Sequence, residues 1–518
     1  QHPIRFFMNK LLSFLFYFAT IFCWAQVSVF QNPVNENSLQ IHQKLHEDLA
    51  SSYISTQYYL QSAFEAEQDL EITLPTGKKF QARLARTFEY TNKSVSYSYS
   101  IENEPDSELV FSKYENVLTG MYASSLGEKV IFHQTSDKII AVSVVNEEYL
   151  IQKDLKEDFI HPELFSTHKA NSNICLASTP VCQPSVIDVL VVYTSAARLG
   201  WGGVAQSNSQ IATAITNFNN SLVNSGIPNI TINLVYAGEI AYSESGNINT
   251  DLTRFRNQTD GFMDDVHTLR TIYGADLCAL ITATPTNTCG LGYLNTNPTN
   301  YSANAAFSVS LRNCAVSNYT LSHEMGHNMG LNHDWYVNQS TSPCSNLHGY
   351  VNQTAVNMGT SAPSSRRWRT MMAYNDQCAD VGINCPKINR WANPAVNYNA
   401  DPTGVTIGNP NPSDEAFGFA RFACVVSEFM PSASMNTLEV KTAAKEFTIY
   451  PNPATDEINI SIKNDEMYTF KIINVLGQTV ITTNKKRINI AHLASGEYFL
   501  SVSGNKSDAI GVRKFIVK

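Results

Sequence analysis

Two histidines four residues apart, a glutamate beside the first, then a glycine and a third histidine form the stretch of this chain best equipped for chemistry. It reads His323-Glu324-Met325-Gly326-His327-Asn328-Met329-Gly330-Leu331-Asn332-His333. On a helix, His323 and His327 project from one face, so both imidazoles can reach one metal ion. Glu324 sits one step round, close enough to hold a metal-bound water without being a ligand. A straight helix cannot deliver a third ligand from the right direction. Gly330 can take positive φ, end the helix and turn the chain, and His333 then returns as the third ligand. Three protein ligands and an open fourth position are the arrangement of a catalytic Zn2+ ion, whereas a structural zinc is usually closed by four ligands, often cysteines.

The elements around this run alternate. Ser185 to Thr194 is an apolar, β-branched run bounded by polar residues and predicts a buried first strand. Ile211, Ile215, Phe218 and Leu222 recur at helical spacing and predict a helix over one sheet face. Ile230 to Tyr236 and Ala275 to Thr282 read as further strands, Phe262, Val266, Leu269 and Ile272 as another helix, and Phe417, Ala420, Cys424 and Val425 as a closing helix. Strands alternating with helices argue for an α/β layer.

The histidine run, together with Arg369-Thr370-Met371-Met372-Ala373-Tyr374, resembles the metzincin clan of zinc metallopeptidases, with their methionine turn. Asp334, directly after the third histidine, resembles the reprolysin (adamalysin) group. The resemblance covers much of residues 184–430. It implies a zincin-like catalytic domain of α/β (α+β) class, with a mixed twisted sheet and an active-site helix. It implies His323, His327 and His333 as zinc ligands, Glu324 as general base and acid, and Met372 as the floor beneath the metal. Tyr374 is similar to the tyrosine of astacins and serralysins, so it either stabilises the oxyanion, approaching the metal as a fifth ligand, or simply packs. Cys289-Gly290-Leu291-Gly292-Tyr293-Leu294 resembles the edge strand that roofs the cleft in reprolysins, with Leu291, Gly292 and Tyr293 offering backbone groups to an extended peptide. Cys289–Cys314 is the disulfide the resemblance implies. Asp334 and His348 are read as scaffold.

The length of 518 residues suggests about three domains, and a net charge of −9 with no long charge block disfavours nucleic-acid binding. Residues 8–25 read as a secretory signal peptide: Met8-Asn9-Lys10, an apolar run from Leu11 to Phe22, then Cys23-Trp24-Ala25. That run is too short for a membrane span, and Phe22 is too bulky for a lipobox before Cys23. Gln1 to Phe7 precede the expected start methionine. Export makes disulfides reasonable among the nine remaining cysteines, and the odd count leaves one over. Cys278, inside an apolar run, is expected to be the free buried thiol. No loop shows calcium-ligand spacing, so calcium is unsupported.

Residues 26–183 read as a mixed α/β propeptide, helical around Ile41–Phe64 and with alternating strands such as Lys138 to Val145. Within it, Cys175 or Cys182 could latch the zymogen by giving a thiolate to the metal; the alternative is that they pair or staple the domain junction. Residues 184–436 are the expected catalytic domain. Residues 437–518 read as an all-β sandwich of short strands. From Lys441 onward this tail holds eleven Lys+Arg against seven Asp+Glu, in contrast to the acidic remainder. Tyr450-Pro451-Asn452-Pro453, Ile473 to Gln478 and Leu493 to Tyr498 resemble the type IX secretion sorting domain of Bacteroidetes. That implies a secreted or cell-surface protein without a transmembrane anchor, with the type IX machinery and peptide substrates as partners; a carbohydrate- or surface-binding sandwich is the other reading of the tail. The competing function is a surface adhesin or binding protein on a metzincin scaffold, against which the intact ligand set and Glu324 count.

Overall fold

The computed structural model describes residues 27–33, 54–60, 66, 68–148, 150, 158–160, 175–176, 178–284, 287–296, 302–431, 447–462, 468–474, 479–504 and 509–518. The expected signal peptide, Cys23 and the 436/437 boundary lie outside these residues.

A six-stranded mixed sheet carries the site. Its strands are β1 (Phe159–Ile160), β2 (Ser185–Tyr193), β3 (Ile230–Glu239), β4 (Leu277–Thr282), β5 (Gly290–Tyr293) and β6 (Phe307–Leu311), in the order β1-β5-β6-β4-β2-β3. Strands β2, β3, β4 and β6 are parallel, β5 runs antiparallel to β6, and β1 lies parallel to β5. Central strand β4 is buried throughout, as a parallel strand covered on both faces should be.

Helix α1 (Val204–Asn224) turns Ile211, Ile215, Phe218 and Leu222 into the core, at the spacing the sequence predicts. Helix α2 (Asp265–Tyr273) buries Val266, Leu269 and Ile272, but Phe262 precedes it and is exposed. Helix α3 (Thr320–Asn328) is the histidine helix. Helix α4 (Glu415–Val426) closes the domain with Phe419, Phe422, Ala423 and Val426 inward, while Ala420, Cys424 and Val425 are half-buried. Four disulfides form among the described residues: Cys175–Cys344, Cys182–Cys424, Cys289–Cys314 and Cys378–Cys385. Cys278 is the free, buried cysteine among the described residues, and burial pushes its thiol up to about 11.

The N-terminal region departs from the expected mixed α/β character. Its described residues before position 146 form a ten-stranded sheet in which the strands from Lys79–Glu89 to Ile139–Val144 run as an antiparallel meander. Residues 54–60, expected to be helical, are the strand Ile54–Leu60, paired antiparallel with Ile139–Val144. Ile-Ser-Thr-Gln-Tyr-Tyr-Leu is rich in β-branched and aromatic residues, and a partner strand decides the matter in favour of sheet.

This sheet sits on the second face of α1, and the contact is polar. Ser209 donates to the Ser112 carbonyl at 2.7 Å and meets Thr119 Oγ1 at 2.9 Å; Asn220 donates to Ser98 at 2.9 Å; Gln210 meets His133 at 2.8 Å. The C-terminal residues form a three-stranded and a four-stranded sheet around one apolar core that includes Ile458, Phe470, Leu500 and Phe515.

Candidate metal centre

Helix α3 presents His323 and His327 on one face and stops at Asn328; Gly330 follows with φ +88°, and the chain swings back to His333. All three imidazoles are at most 2% exposed. His323 Nδ1 donates to the Met371 carbonyl at 2.9 Å and His327 Nδ1 to the Leu331 carbonyl at 2.8 Å. In the neutral rings these bonds leave each Nε2 as a bare lone pair. The Nε2 atoms converge, His323 to His333 at 3.3 Å and His333 to His327 at 3.0 Å.

Burial pushes His323 and His333 down, His333 to about 3, against the pull of a neighbouring carboxylate. That carboxylate is Asp158. Burial pushes it up, but the nearby His333 and His323 hold it well below the ordinary range. Its oxygens lie 3.2 Å from His323 Nε2, 3.2 Å from His327 Nε2 and 2.7 Å from His333 Nε2. Among the described residues, Asp158, His323, His327 and His333 form the group able to hold a metal ion, their ligand atoms all within 4.8 Å of one another. Lone pairs and a carboxylate crowded together need a cation among them. Zn–N bonds of about 2.0–2.1 Å set tetrahedral ligand atoms roughly 3.3 Å apart, so this donor set fits zinc.

The surrounding residues hold the rings in place. The Met372 side chain lies under α3: a Cβ on Gly326 would stand 2.9 Å from its Sδ. Asp334 accepts from Tyr336 N at 3.0 Å and from Tyr374 N at 2.9 Å, tying the His333 turn to the methionine turn. Burial pushes the Asp334 carboxyl up to about 6. The Tyr374 hydroxyl donates to the Asp158 carboxylate. His348 meets the carbonyls of His333 and Ser340 and stacks on Trp335, away from the ligand set.

Strand β5, with Leu291, Gly292 and Tyr293, runs beside α3. Any Cβ at Gly290 would strike the Glu324 carboxylate, and one at Gly292 would lie 2.8 Å from the Glu324 carbonyl, so both glycines are required by close approach. Glu324 is 1% exposed and is not among the metal-competent set. Asn328 fastens the helix to the sheet, donating to the Tyr293 carbonyl at 2.8 Å and the Phe307 carbonyl at 3.1 Å.

The expected thiol latch does not form. Cys175 is bonded to Cys344 and Cys182 to Cys424, so neither retains a thiolate to offer, and the junction-staple alternative describes both. The group at the histidines is Asp158. Sequence reasoning passed over Asp158, Phe159 and Asn328; no spacing links residue 158 to a motif more than 160 residues downstream.

A buried three-histidine centre beneath strand β5, with a glutamate outside the group able to hold a metal, is of the kind found in metal-dependent hydrolases. The family model described as "Metallo-peptidase family M12" matches residues 183–389, and that described as "Secretion system C-terminal sorting domain" matches residues 448–518. The chain is 39% identical over 241 residues to a peptidyl-Asp metalloendopeptidase of Stenotrophomonas maltophilia (strain R551-3), covering 46% of this chain and 53% of that protein. It is 38% identical over 231 residues to the protein so named in Xanthomonas campestris, covering 45% and 48%. It is 30% identical over 184 residues to that of Pseudomonas fragi, covering 36% and 87%. The chain thus spans about half the length of the Stenotrophomonas and Xanthomonas relatives. This chain belongs to the M12 family of metallopeptidases, a family that implies zinc. Its sorting domain directs it to the outside of the cell or the cell surface. No helix among the described residues is long and apolar enough to cross a membrane.

Proposed function

We propose that the chain is an exported zinc metalloendopeptidase, of metzincin and reprolysin-like type, that cleaves internal peptide bonds of proteins. The observation that carries this reading is the convergence of three Nε2 atoms beside strand β5, with the Glu324 carboxylate packed against that strand. His323, His327 and His333 hold the metal. Zinc, when bound, supplies Lewis acidity toward water and toward the scissile carbonyl. Glu324 takes the proton of the attacking water and passes it to the leaving amine, acting as base and then acid. Leu291, Gly292 and Tyr293 pair with the extended substrate backbone. Tyr374, whose hydroxyl already donates to a carboxylate at the centre, donates to the oxyanion. Met372 supplies an apolar floor.

The domains follow the sequence boundaries: 8–25 signal peptide, 26–183 propeptide, 184–436 catalytic domain and 437–518 a β-sandwich read by the type IX machinery. The polar contact between α1 and the N-terminal sheet supports removal of that sheet, because a face of Ser, Thr, Asn and Gln tolerates water once uncovered, while Cys175 and Cys182 stay bonded to Cys344 and Cys424. The relatives' name suggests aspartate at the cleaved bond. Mapping fragment ends from a denatured protein substrate tests this: ends clustered at Asp support it, and ends indifferent to Asp exclude it.

Gly290→Ala is expected to lower turnover roughly a hundredfold with zinc content unchanged, because the added methyl displaces the Glu324 carboxylate. A wild-type rate would show that Glu324 does not depend on that contact.

A further inference from the structure

Building on the metallopeptidase and aspartate readings above, we infer that Lys387 is the residue that selects the substrate. Its ammonium receives the carboxylate of the aspartate beside the cleaved bond.

The backbone around Lys387 is fixed to the metal centre. Arg369 N donates to the Pro386 carbonyl at 3.1 Å, Ile388 N to the Arg369 carbonyl at 2.9 Å and Met371 N to the Arg390 carbonyl at 2.8 Å. The Met371 carbonyl in turn holds His323 Nδ1 at 2.9 Å. Residues 386–390 therefore form a wall within two hydrogen bonds of the first histidine. The positive charge of Lys387 reaches His323, whose protonated form it disfavours. Lys387 is 4% exposed. In a site that excludes water, an ammonium–carboxylate contact is far stronger than on an open surface.

A carboxylate already stands at this wall in the full chain. Glu147, which follows the N-terminal strand Ile139–Val144, accepts from the Lys387 amide at 3.4 Å and from Lys129 Nζ at 3.1 Å. Lys129 Nζ lies 4.9 Å from the ring centroid of Tyr319, the residue directly before α3. Lys129, Tyr319, Lys387 and Arg390 line one small cavity between the N-terminal sheet and the catalytic body. Removal of the sheet takes Lys129 and Glu147 away and opens that cavity, with Lys387 in its lining.

The other cations near the centre are held elsewhere. Arg369 directs Nε and Nη1 to the carbonyls of Cys385 and Ala373. Arg390 is fixed by the Asn224 carbonyl and by Asp106 at 2.7 Å. Arg256 stacks on the Tyr293 ring, 4.7 Å from its centroid, at the C-terminal end of β5. It is the rival cation for an acidic side chain and serves as the control.

The test uses the processed, zinc-loaded protein and two quenched fluorescent peptides that differ only in Asp or Asn at the cleaved bond. The wild type is expected to prefer Asp by about a hundredfold or more in kcat/KM. Lys387→Gln and Lys387→Met, with zinc content unchanged, should bring that ratio to within about threefold of unity by slowing the Asp peptide alone. Lys387→Arg should restore most of the preference, and Arg256→Gln should leave it as in the wild type. A ratio unchanged by loss of Lys387, an equal fall on both peptides, or a ratio that collapses in Arg256→Gln instead overturns the assignment. A wild type that cuts both peptides alike, in a zinc-dependent way, also overturns it but leaves the metallopeptidase reading standing. A zinc-loaded wild type that cuts neither these peptides nor a denatured protein removes both.

Discussion

Replacing Glu324 by Gln should leave zinc bound while turnover of the processed protein falls by about a hundred- to ten-thousandfold, the range lost when a positioned general base is removed. Gln keeps the shape of the side chain that Gly290 and Gly292 accommodate, so the fold and the edge strand should stay as they are. What it cannot do is accept the proton of the attacking water. Because Glu324 stands outside the metal-competent group, metal content is a clean control. Peptide hydrolysis and zinc content measured on the same preparation decide the matter: near-normal turnover with zinc in place would mean that another group carries the proton.

His333→Ala should lower zinc affinity more than about a hundredfold. Loss of an outer-shell partner of a metal site already costs roughly ten- to a hundredfold, and His333 is proposed as a direct ligand. The backbone around it should persist, because the contact it makes with His348, at 2.6 Å, uses the main-chain carbonyl that alanine retains. Competition against a chelator of known affinity measures the loss, with circular dichroism as the folding control. Unchanged affinity would remove His333 from the ligand set and leave Gly330 with no evident reason for its turn.

How much of this was readable beforehand depends on how local each feature is. His323, Glu324, His327, Gly330 and His333 lie on one helix and one turn, so their spacing alone predicts the convergence of the three histidines. The strand at Ser185–Tyr193 and the apolar stripe of α1 were legible for the same reason. The rest of α1 was not. A run of Ser, Asn, Gln and Thr reads as a solvated face, yet Ser209, Gln210, Thr213, Asn217 and Asn220 are buried beneath another sheet that satisfies several of them with hydrogen bonds. Residues 54–60 were misread because a long-range partner strand, not local pattern, decides their state. The closing helix was found, but the inward side of α4 is set by packing and takes Phe419, Ala423 and Val426 in place of Ala420, Cys424 and Val425. Asp158 is the plainest case: one acid among 45 Asp and Glu residues, it acquires meaning only when β1 pairs with β5. The same topology shows why the junction-staple alternative describes Cys175 and Cys182 and the thiol latch does not, since both thiols are consumed in bridges to Cys344 and Cys424.

The most direct measurement is hydrolysis of a protein substrate by the exported, processed protein, before and after zinc removal by a chelator and again after zinc is restored. Cleavage is expected to disappear with the metal and to return with zinc. Cleavage that persists in metal-free protein, or its absence from a processed and fully zinc-loaded chain, would contradict it.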